Sequence, residues 1–384
     1  MMDTRVANRI LKKLGKFTTA VNSHVELLGK DGTLHIRHVD GKHGVEYRFE
    51  HCTHEDFHAC VNPLELAKCV TYIKASPIFT HEGDKLMLTA GYGKRNISMR
   101  ALGIKEGKEY ICRTWDEFIG DAGDGVETRI AESEAVFSET FDEEVWDNLR
   151  KLLPFTSTDI ARPFMHNPMF FGGDETHSGL VTTDGRRLAI YPVFKGKYDK
   201  DFNASIPLPE VEMFPKESCQ YTIYDKRGNS CVLYRTHKIE SGSFTYYTFT
   251  DAQRLPSVGR VIPDLHAYNT LVFPAKEMQE FLALRPKGWG SILIEMDEGK
   301  VSVHIGKQYS TVLKAAVNTE EKVKLYNNPD YILDLIKTGL NIIDFELPTP
   351  KPGMDYAEIV TPYRAEGADT PIFVIGMPMR PSDD

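Results

Sequence analysis

Apolar residues recur with helical spacing at three places along the chain. Residues 5–14 place Val6, Ile10, Leu11 and Leu14 on one stripe. Residues 141–153 do the same with Val145, Trp146, Leu149, Leu152 and Leu153, and residues 274–284 with Met278, Phe281, Leu282 and Leu284. Thr140-x-x-Glu143 reads as a capping box for the second helix, and Pro274 as a first-turn residue of the third. About 55–65 residues after each of these helices comes a second helix signal that opens on proline. Asn62-Pro63 precedes 64–73, Ile206-Pro207 precedes 208–214 and Asn328-Pro329 precedes 330–336, with Gly339 placed to close the last. Alternating strand-like runs fill the intervals. Runs 85–89 and 96–101 flank Gly91-Tyr92-Gly93, and runs 291–296 and 300–305 flank Asp297-Glu298-Gly299, a hairpin signal.

The pattern predicts an α+β protein built from three tandem copies of one unit, over residues 1–134, 135–256 and 257–384. Linkers are expected in the Gly/Asp/Glu-rich stretch 120–134 and the proline-punctuated stretch 254–263. Composition fits this picture: 384 residues with 41% hydrophobic and 26% charged residues supply enough apolar side chains for packed cores. No apolar run approaches the roughly 18 residues that span a bilayer, and the N-terminus lacks the apolar core of a secretory signal. A cytoplasmic location, away from membranes, is the expectation. The cysteines (Cys52, Cys60, Cys69, Cys112, Cys219, Cys231) are scattered and form no CxxC pair, so free thiols are expected. The formal charge of −9 argues against a uniformly basic nucleic-acid-binding surface, but not against charge segregated onto one face.

Three elements resemble a known family. The first comprises Leu153-Pro154-Phe155-Thr156-Ser157-Thr158, Ala161-Arg162-Pro163-Phe164 and Leu180-Val181-Thr182-Thr183-Asp184-Gly185-Arg186-Arg187-Leu188-Ala189. It is similar to the middle domain of the bacterial DNA sliding clamps, the β subunit of DNA polymerase III, whose signature is T-D-G-x-R-L-A. Leu255-Pro256 with Gly259-Arg260-Val261-Ile262-Pro263 resembles the family's F-P-D-Y-x-R-V-L-P junction, and Met377-Pro378-Met379-Arg380 its terminal M-P-M-R.

The resemblance implies a head-to-tail homodimeric ring around double-stranded DNA, with helices lining the hole and sheets outside. A heterologous contact that closes in this way does not run on into a fibre. Function then follows from topology: a threaded ring tethers a polymerase without gripping phosphates, since grip is friction. The basic face of the first helix (Arg5, Arg9, Lys12, Lys13, Lys16) suits a lumen lining, and Arg162 and Phe164 fall on positions that face DNA in the family. The helix over 141–153, with four acids, is less suited. The resemblance also implies a cleft between the second and third domains that takes Q-L-x-L-F-type segments of the polymerase and clamp loader. Its matching positions are Met165, Thr183, Gly185, Arg186, Arg187 and Leu188, then Pro256, Arg260 and Val261, then Ile375, Met377, Pro378, Met379 and Arg380. Methionine suits a pocket that accepts several partners. The chain departs from the family at Ser257-Val258-Gly259 and at Gly376, where a β-branched residue is usual and a glycine trims one cleft wall or loosens the strand. Longer loops in the third domain and the tail 381–384 are further departures.

Rival chemistry is sparse. His54-Glu55-Asp56-Phe57-His58 matches the H-E-x-x-H zinc-hydrolase signature, which requires both histidines on one helical face. Its flanks read as strand, where the two imidazoles lie too far apart to chelate one ion. Gly91-Tyr92-Gly93 lacks the third glycine of a dinucleotide loop, and no Walker A or G-x-S-x-G sequence occurs. No catalysis, cofactor or metal is expected. A clamp-like scaffold that does not encircle DNA is the other alternative.

Overall fold

The helical stripes become buried faces, except at Val6 and Leu284, which are exposed. In the computed structural model, Ala7, Ile10, Leu11 and Leu14 are sealed along one side of a helix over Thr4–Phe17, while Arg5, Arg9, Lys12 and Lys16 are exposed on the other. The structure describes residues 3–379 apart from 18–22, 41, 91–94, 103–104, 107–108, 111–113, 121–124, 160, 163–164, 173–177, 195–196, 199–201, 207–216, 230, 252–261, 263–268, 298, 320–321, 340–341, 349–350, 353–356, 360–361 and 368–369.

In chain order the elements begin with α1 (Thr4–Phe17), β1 (Val25–Lys30), β2 (Thr33–Val39), β3 (His43–Phe49), β4 (Phe57–Val61) and α2 (Pro63–Ile73). There follow β5 (Pro77–Glu82), β6 (Lys85–Ala90), β7 (Asn96–Arg100), β8 (Lys105–Glu106), β9 (Glu109–Tyr110), α3 (Trp115–Gly120), α4 (Val126–Ala131) and β10 (Glu134–Phe141). The middle of the chain supplies α5 (Glu143–Leu152), β11 (Met169–Phe171), β12 (Gly179–Thr183), β13 (Arg187–Tyr191), β14 (Asn203–Ser205), β15 (Cys219–Arg227), β16 (Val232–Glu240) and β17 (Phe244–Asp251). The last part holds β18 (Asn269–Pro274), α6 (Ala275–Leu282), β19 (Ile292–Asp297), β20 (Lys300–Ile305), β21 (Tyr309–Leu313), β22 (Ala316–Asn318) and β23 (Val323–Asn327). It ends with α7 (Pro329–Lys337), β24 (Ile342–Leu347), β25 (Ala357–Glu358), β26 (Tyr363–Gly367) and β27 (Thr370–Gly376).

The Asn-Pro signals act as expected: Asn62 Oδ1 accepts from Leu64 N and Glu65 N at 3.0 and 3.1 Å, and Asn328 Oδ1 accepts from Asp330 N at 2.9 Å. Gly339, at φ +94°, follows α7 in the left-handed conformation that ends a helix. The capping box does not form. Thr140 lies inside β10 opposite Gln220, to whose side chain its hydroxyl donates, and α5 starts only at Glu143. The second helix signal of the middle repeat, 208–214, lies outside the described residues.

The chain divides into two compact units. The first, Met1–Glu143 with Glu212–Ala252, carries an eight-stranded sheet in the order β10-β15-β16-β17-β3-β2-β1-β4. Helices α1 and α2 pack together closely: a Cβ on Gly15 would lie 2.4 Å from Leu64 Cδ2, and Asn8 Nδ2 donates to Thr71 Oγ1 at 2.7 Å. The stretch 120–134, expected as a linker, holds α4, whose Val126 joins Val39, Trp115 and Phe118 in a small core. The Phe118 ring fills the space that a side chain at Gly44 would need, with its Cε1 2.2 Å from an ideal Cβ. Cys60 is disulfide-bonded, against the expectation of free thiols throughout, whereas Cys52, Cys69, Cys219 and Cys231 are free.

The second unit, Glu144–Val211 with Gln253–Asp384, carries a nine-stranded sheet, β14-β11-β12-β13-β27-β26-β24-β18-β22, and a five-stranded one, β21-β20-β19-β23-β25. The strands expected of the middle repeat are therefore shared out, with β10 and β15–β17 in the first unit and β11–β14 in the second. No helix among the described residues is long and apolar enough to cross a membrane.

Candidate functional site

Residues far apart in sequence meet where β13 pairs with β27. Leu188 lies opposite Ile375, Arg187 lies opposite Gly376, and the ladder runs on as Met377 N donates to Arg186 O at 3.1 Å. Alternation along the strands sends Leu188 and Ile190 to one face with Phe373 and Ile375. There they pack with Met169, Phe171 and Val181, and Ile262 lies against them. Met377 and Arg186, the next positions of the same column, are exposed at its end. Beyond them the chain leaves the nine-stranded sheet, and Met379 N donates to Tyr326 O at 2.8 Å on β23 of the five-stranded sheet.

The hairpin joining β12 to β13 turns on Gly185, whose φ of +84° favours glycine. Asp184 Oδ1 accepts from both Arg186 N and Arg187 N at 2.9 Å, and Thr183 Oγ1 donates to Arg187 O at 2.6 Å. Against this turn rests the segment after α5. Met165 Sδ is 3.6 Å and Arg162 Nη1 2.4 Å from where a Cβ at Gly185 would stand, so even alanine there would displace the arginine. Ser157 N donates to Met165 O at 2.9 Å, and Met165 N to Arg162 O at 3.0 Å.

Arg187 points to the opposite face. It is buried, donates to Asp184 Oδ2 and Asp334 Oδ2 at 2.9 Å each, and reaches Pro154 O at 3.2 Å. Its guanidinium lies 4.9 Å from the Phe155 ring and 4.2 Å from that of Tyr331. It is thus a buried node that joins α7 to the hairpin. On the same face a void of only about 10 Å³ is lined by Arg187, Tyr331, Leu335, Phe345, Tyr363 and Gly376 among others. Gly376 also projects to this side, so it does not trim the Met377 side of the strand. A Cβ there would stand 2.4 Å from Tyr363 Cζ, and the glycine is what lets that ring lie across β27. Asn327 Nδ2 donates to the Tyr363 hydroxyl at 2.6 Å, and burial pushes that phenol's pKa up.

The predicted cleft residues Met165, Thr183, Gly185, Arg186, Leu188, Ile375, Met377, Pro378 and Met379 therefore converge within one unit, Leu188 and Ile375 as buried core and Arg186 and Met377 exposed, with Arg187 directly behind. Pro256, Arg260, Val261, Arg380 and Phe164 lie outside the described residues. Tyr331 and Asp334 belong beside the others but were not anticipated. Their signal is tertiary, since nothing local marks a tyrosine and an aspartate on α7 as partners of an arginine in a distant hairpin.

The zinc signature does not assemble. His54 sits in an exposed bend, Glu55 Oε1 accepts from His81 N at 3.1 Å, and His58 lies on β4 with its Nε2 2.6 Å from Glu26 Oε1. The motif is bend and strand rather than helix. Among the described residues no group of three or more His, Cys, Asp or Glu side chains is placed to hold a metal ion. On α1, Arg9, Lys12 and Lys16 are exposed and Lys13 is half-buried. Arg162, expected to face DNA, is half-exposed and leans on the Gly185 turn.

No family model matches the sequence, and no curated protein is similar to it. Solved structures are another matter. The β subunit of DNA polymerase from Streptococcus pyogenes superposes with a TM-score of 0.72 at 11% identity, covering 99% of each chain. The chain has the sliding-clamp fold. A sliding clamp from Bartonella birtlesii bound to griselimycin gives 0.73 at 15% identity over 98% of this chain and 97% of that one. The DNA polymerase III β subunit of Thermotoga maritima gives 0.70 at 15% over 99% and 98%. The sliding-clamp fold here is thus matched from end to end despite identities that leave few residues in common.

Proposed function

We propose that this protein is a DNA sliding clamp: a non-enzymatic, cytoplasmic processivity factor that closes as a head-to-tail homodimer around duplex DNA. Three clamp domains, near 1–134, 135–256 and 257–384, would make up each protomer, with Arg9, Lys12, Lys13 and Lys16 towards the DNA and Arg162 and Phe164 nearby. A site that includes Met165 and Met377, with the buried Leu188 and Ile375 beneath it, would receive Q-L-x-L-F-type segments of a polymerase and a clamp loader, and the resemblance assigns Pro256, Arg260, Val261 and Arg380 to the same role. No cofactor or metal enters this account.

The observation that supports the reading is the β13–β27 pairing, which brings the T-D-G-x-R-L-A and M-P-M-R elements side by side. Extended-peptide capture needs apolar pockets with a few fixed polar groups. The test is topological. The protein is loaded onto nicked circular DNA, which is then linearised. Loss from linear, unblocked DNA is expected, and retention would overturn the tether. A strict monomer at micromolar concentration would overturn the ring. Met379→Ala, or deletion of 377–384, is expected to weaken binding of a Q-L-x-L-F-type peptide without altering the dimer; unchanged affinity would discard the site.

A further inference from the structure

We propose that the first unit carries a segment-binding site around Gly44 on β3, filled in this structure by the chain's own α3, and that the site takes short acidic helices with aromatic anchors at positions i and i+3. Gly44 sits where two runs of strands meet, with Tyr247 of β17 opposite it on one side and Val39 of β2 on the other. On this floor rest Trp115 and Phe118 of α3, with Tyr247 and Phe249 packed against them.

Helix α3 is built like a docked ligand. It has six residues, too few to persist as a helix without a surface to lie on. It closes its own first turn: Glu117 N donates to Thr114 Oγ1 at 3.3 Å, and Thr114 N donates to Glu117 Oε2 at 3.1 Å. It buries two aromatic anchors one turn apart, while the Asp116 side chain between them is 84% exposed. The sheet supplies a matching receptor. A Cβ on Gly44 would stand 2.2 Å from Phe118 Cε1, so the bare backbone is the slot for that ring, and the Phe249 ring lies 5.7 Å from it. The indole of Trp115 lies 6.1 Å from the Tyr247 ring and 5.8 Å from the Arg37 guanidinium. Glu26, only 2% exposed, receives the helix's first N–H: Trp115 N donates to its Oε2 at 2.7 Å. Its other oxygen is held by His58 Nε2 at 2.6 Å, so the carboxylate is aimed in advance. Arg37 Nη1, 3.8 Å from Asp116 Oδ1, favours acids on the bound helix. Two aromatic slots, a buried acceptor for a helix N-terminus and a cation beside them are the parts of a helix-in-groove site.

The test uses the full chain and a fluorescein-labelled peptide, Thr-Trp-Asp-Glu-Phe-Ile, the sequence of residues 114–119. In the parent the tethered α3 competes at an effective concentration of about millimolar. The chain carrying Trp115→Ala with Phe118→Ala has a vacated site and is expected to bind the peptide at least about tenfold more tightly than the parent, by fluorescence anisotropy. A peptide with alanine at both aromatic positions should not bind. Adding Gly44→Ala to the vacated chain should abolish the gain, because the new Cβ occupies the phenylalanine slot. No gain in a folded vacated chain overturns the proposal, and so does a gain that survives Gly44→Ala. Should the vacated chain not fold, hydrogen exchange of the parent decides: peptide at about millimolar concentration is expected to speed exchange of the Trp115 N–H several-fold by displacing α3 from Glu26. Unchanged exchange overturns the site. A Q-L-x-L-F-type peptide does not enter this test, so the cleft of the second unit stands or falls separately.

Discussion

Arg187 Nη1 donates to Asp334 Oδ2 at 2.9 Å, an ion pair that spans 147 residues of sequence and ties a hairpin strand to α7. Both side chains are largely buried, at 7% and 14% exposure, so neither is solvated well if the other is removed. Asp334→Ala leaves Arg187 with Asp184 as its one carboxylate partner, beside Pro154 O, and is expected to cost about 1.5–3 kcal/mol. Denaturant unfolding of the full chain, read as the midpoint of the transition that involves the second unit, measures this. Arg187→Lys should fare no better, because an ammonium can neither span both carboxylates as a fork nor stack between Phe155 and Tyr331. A loss below about 0.5 kcal/mol would show that the pair is solvated and carries little.

Gly376 is held by its neighbour. Adding a Cβ places it 2.4–2.8 Å from Tyr363 Cζ, Oη and Cε2, and the ring is anchored by Asn327 and cannot retreat freely. Gly376→Ala is expected to destabilise by about 1–3 kcal/mol, the usual cost of overpacking. In a Tyr363→Ala background the same change should cost much less, and the coupling in the double-mutant cycle reads this directly. Independent, additive effects would refute the account.

The sequence was informative where the physics is local. Helical stripes, Asn-Pro starts, the Gly339 stop and the Gly299 hairpin depend on near neighbours and appear as expected, except that Val6 and Leu284 of the stripes are exposed and Leu284 lies beyond α6. The surface around Leu188 and Ile375 was legible only through motif resemblance, since the two strands are nearly two hundred residues apart. Where tertiary partners decide, local signals misled. Thr140 has a capping pattern but spends its hydroxyl across a strand pair on Gln220. The stretch 120–134, read as a linker, is held through Val126, which packs with Trp115 and Phe118, and Phe118 in turn fills the space beside Gly44 on β3. The charged residues Glu26, Arg37 and Glu46 are buried because they face one another across β1, β2 and β3, a relation that no single strand displays.

The exposed stripe Arg9, Lys12 and Lys16 on α1 has a measurable signature if it faces phosphates. Each cation that neutralises a phosphate adds about 0.9 to the slope of log affinity against log salt. Replacing all three with alanine keeps helix propensity high and leaves the buried face of α1 untouched. The variant is expected to lose about 2–3 from that slope in binding to short duplex DNA, with an unchanged solution mass. An unaltered slope would assign the stripe to solvent.

His237 is fully buried, and desolvation, helped by the neighbouring Arg235, holds its pKa down to about 3. Its ring is satisfied while neutral, with Nδ1 2.9 Å from the Tyr221 hydroxyl and Nε2 2.9 Å from Thr250 Oγ1. In the unfolded chain the imidazole titrates near its ordinary value of about 6.5. Above that pH both states are neutral and the histidine contributes its full stability. As pH falls towards 3 the unfolded state takes up a proton that the folded state refuses, so stability is lost across that window. His237→Gln retains a donor and an acceptor but does not titrate. It is expected to be less stable than the parent at neutral pH, yet to lose stability between pH 6 and 4 with a slope shallower by about one proton, or 1.4 kcal/mol per pH unit. Denaturant midpoints taken across that range give the two slopes, and identical slopes would show that His237 already accepts its proton in the folded protein.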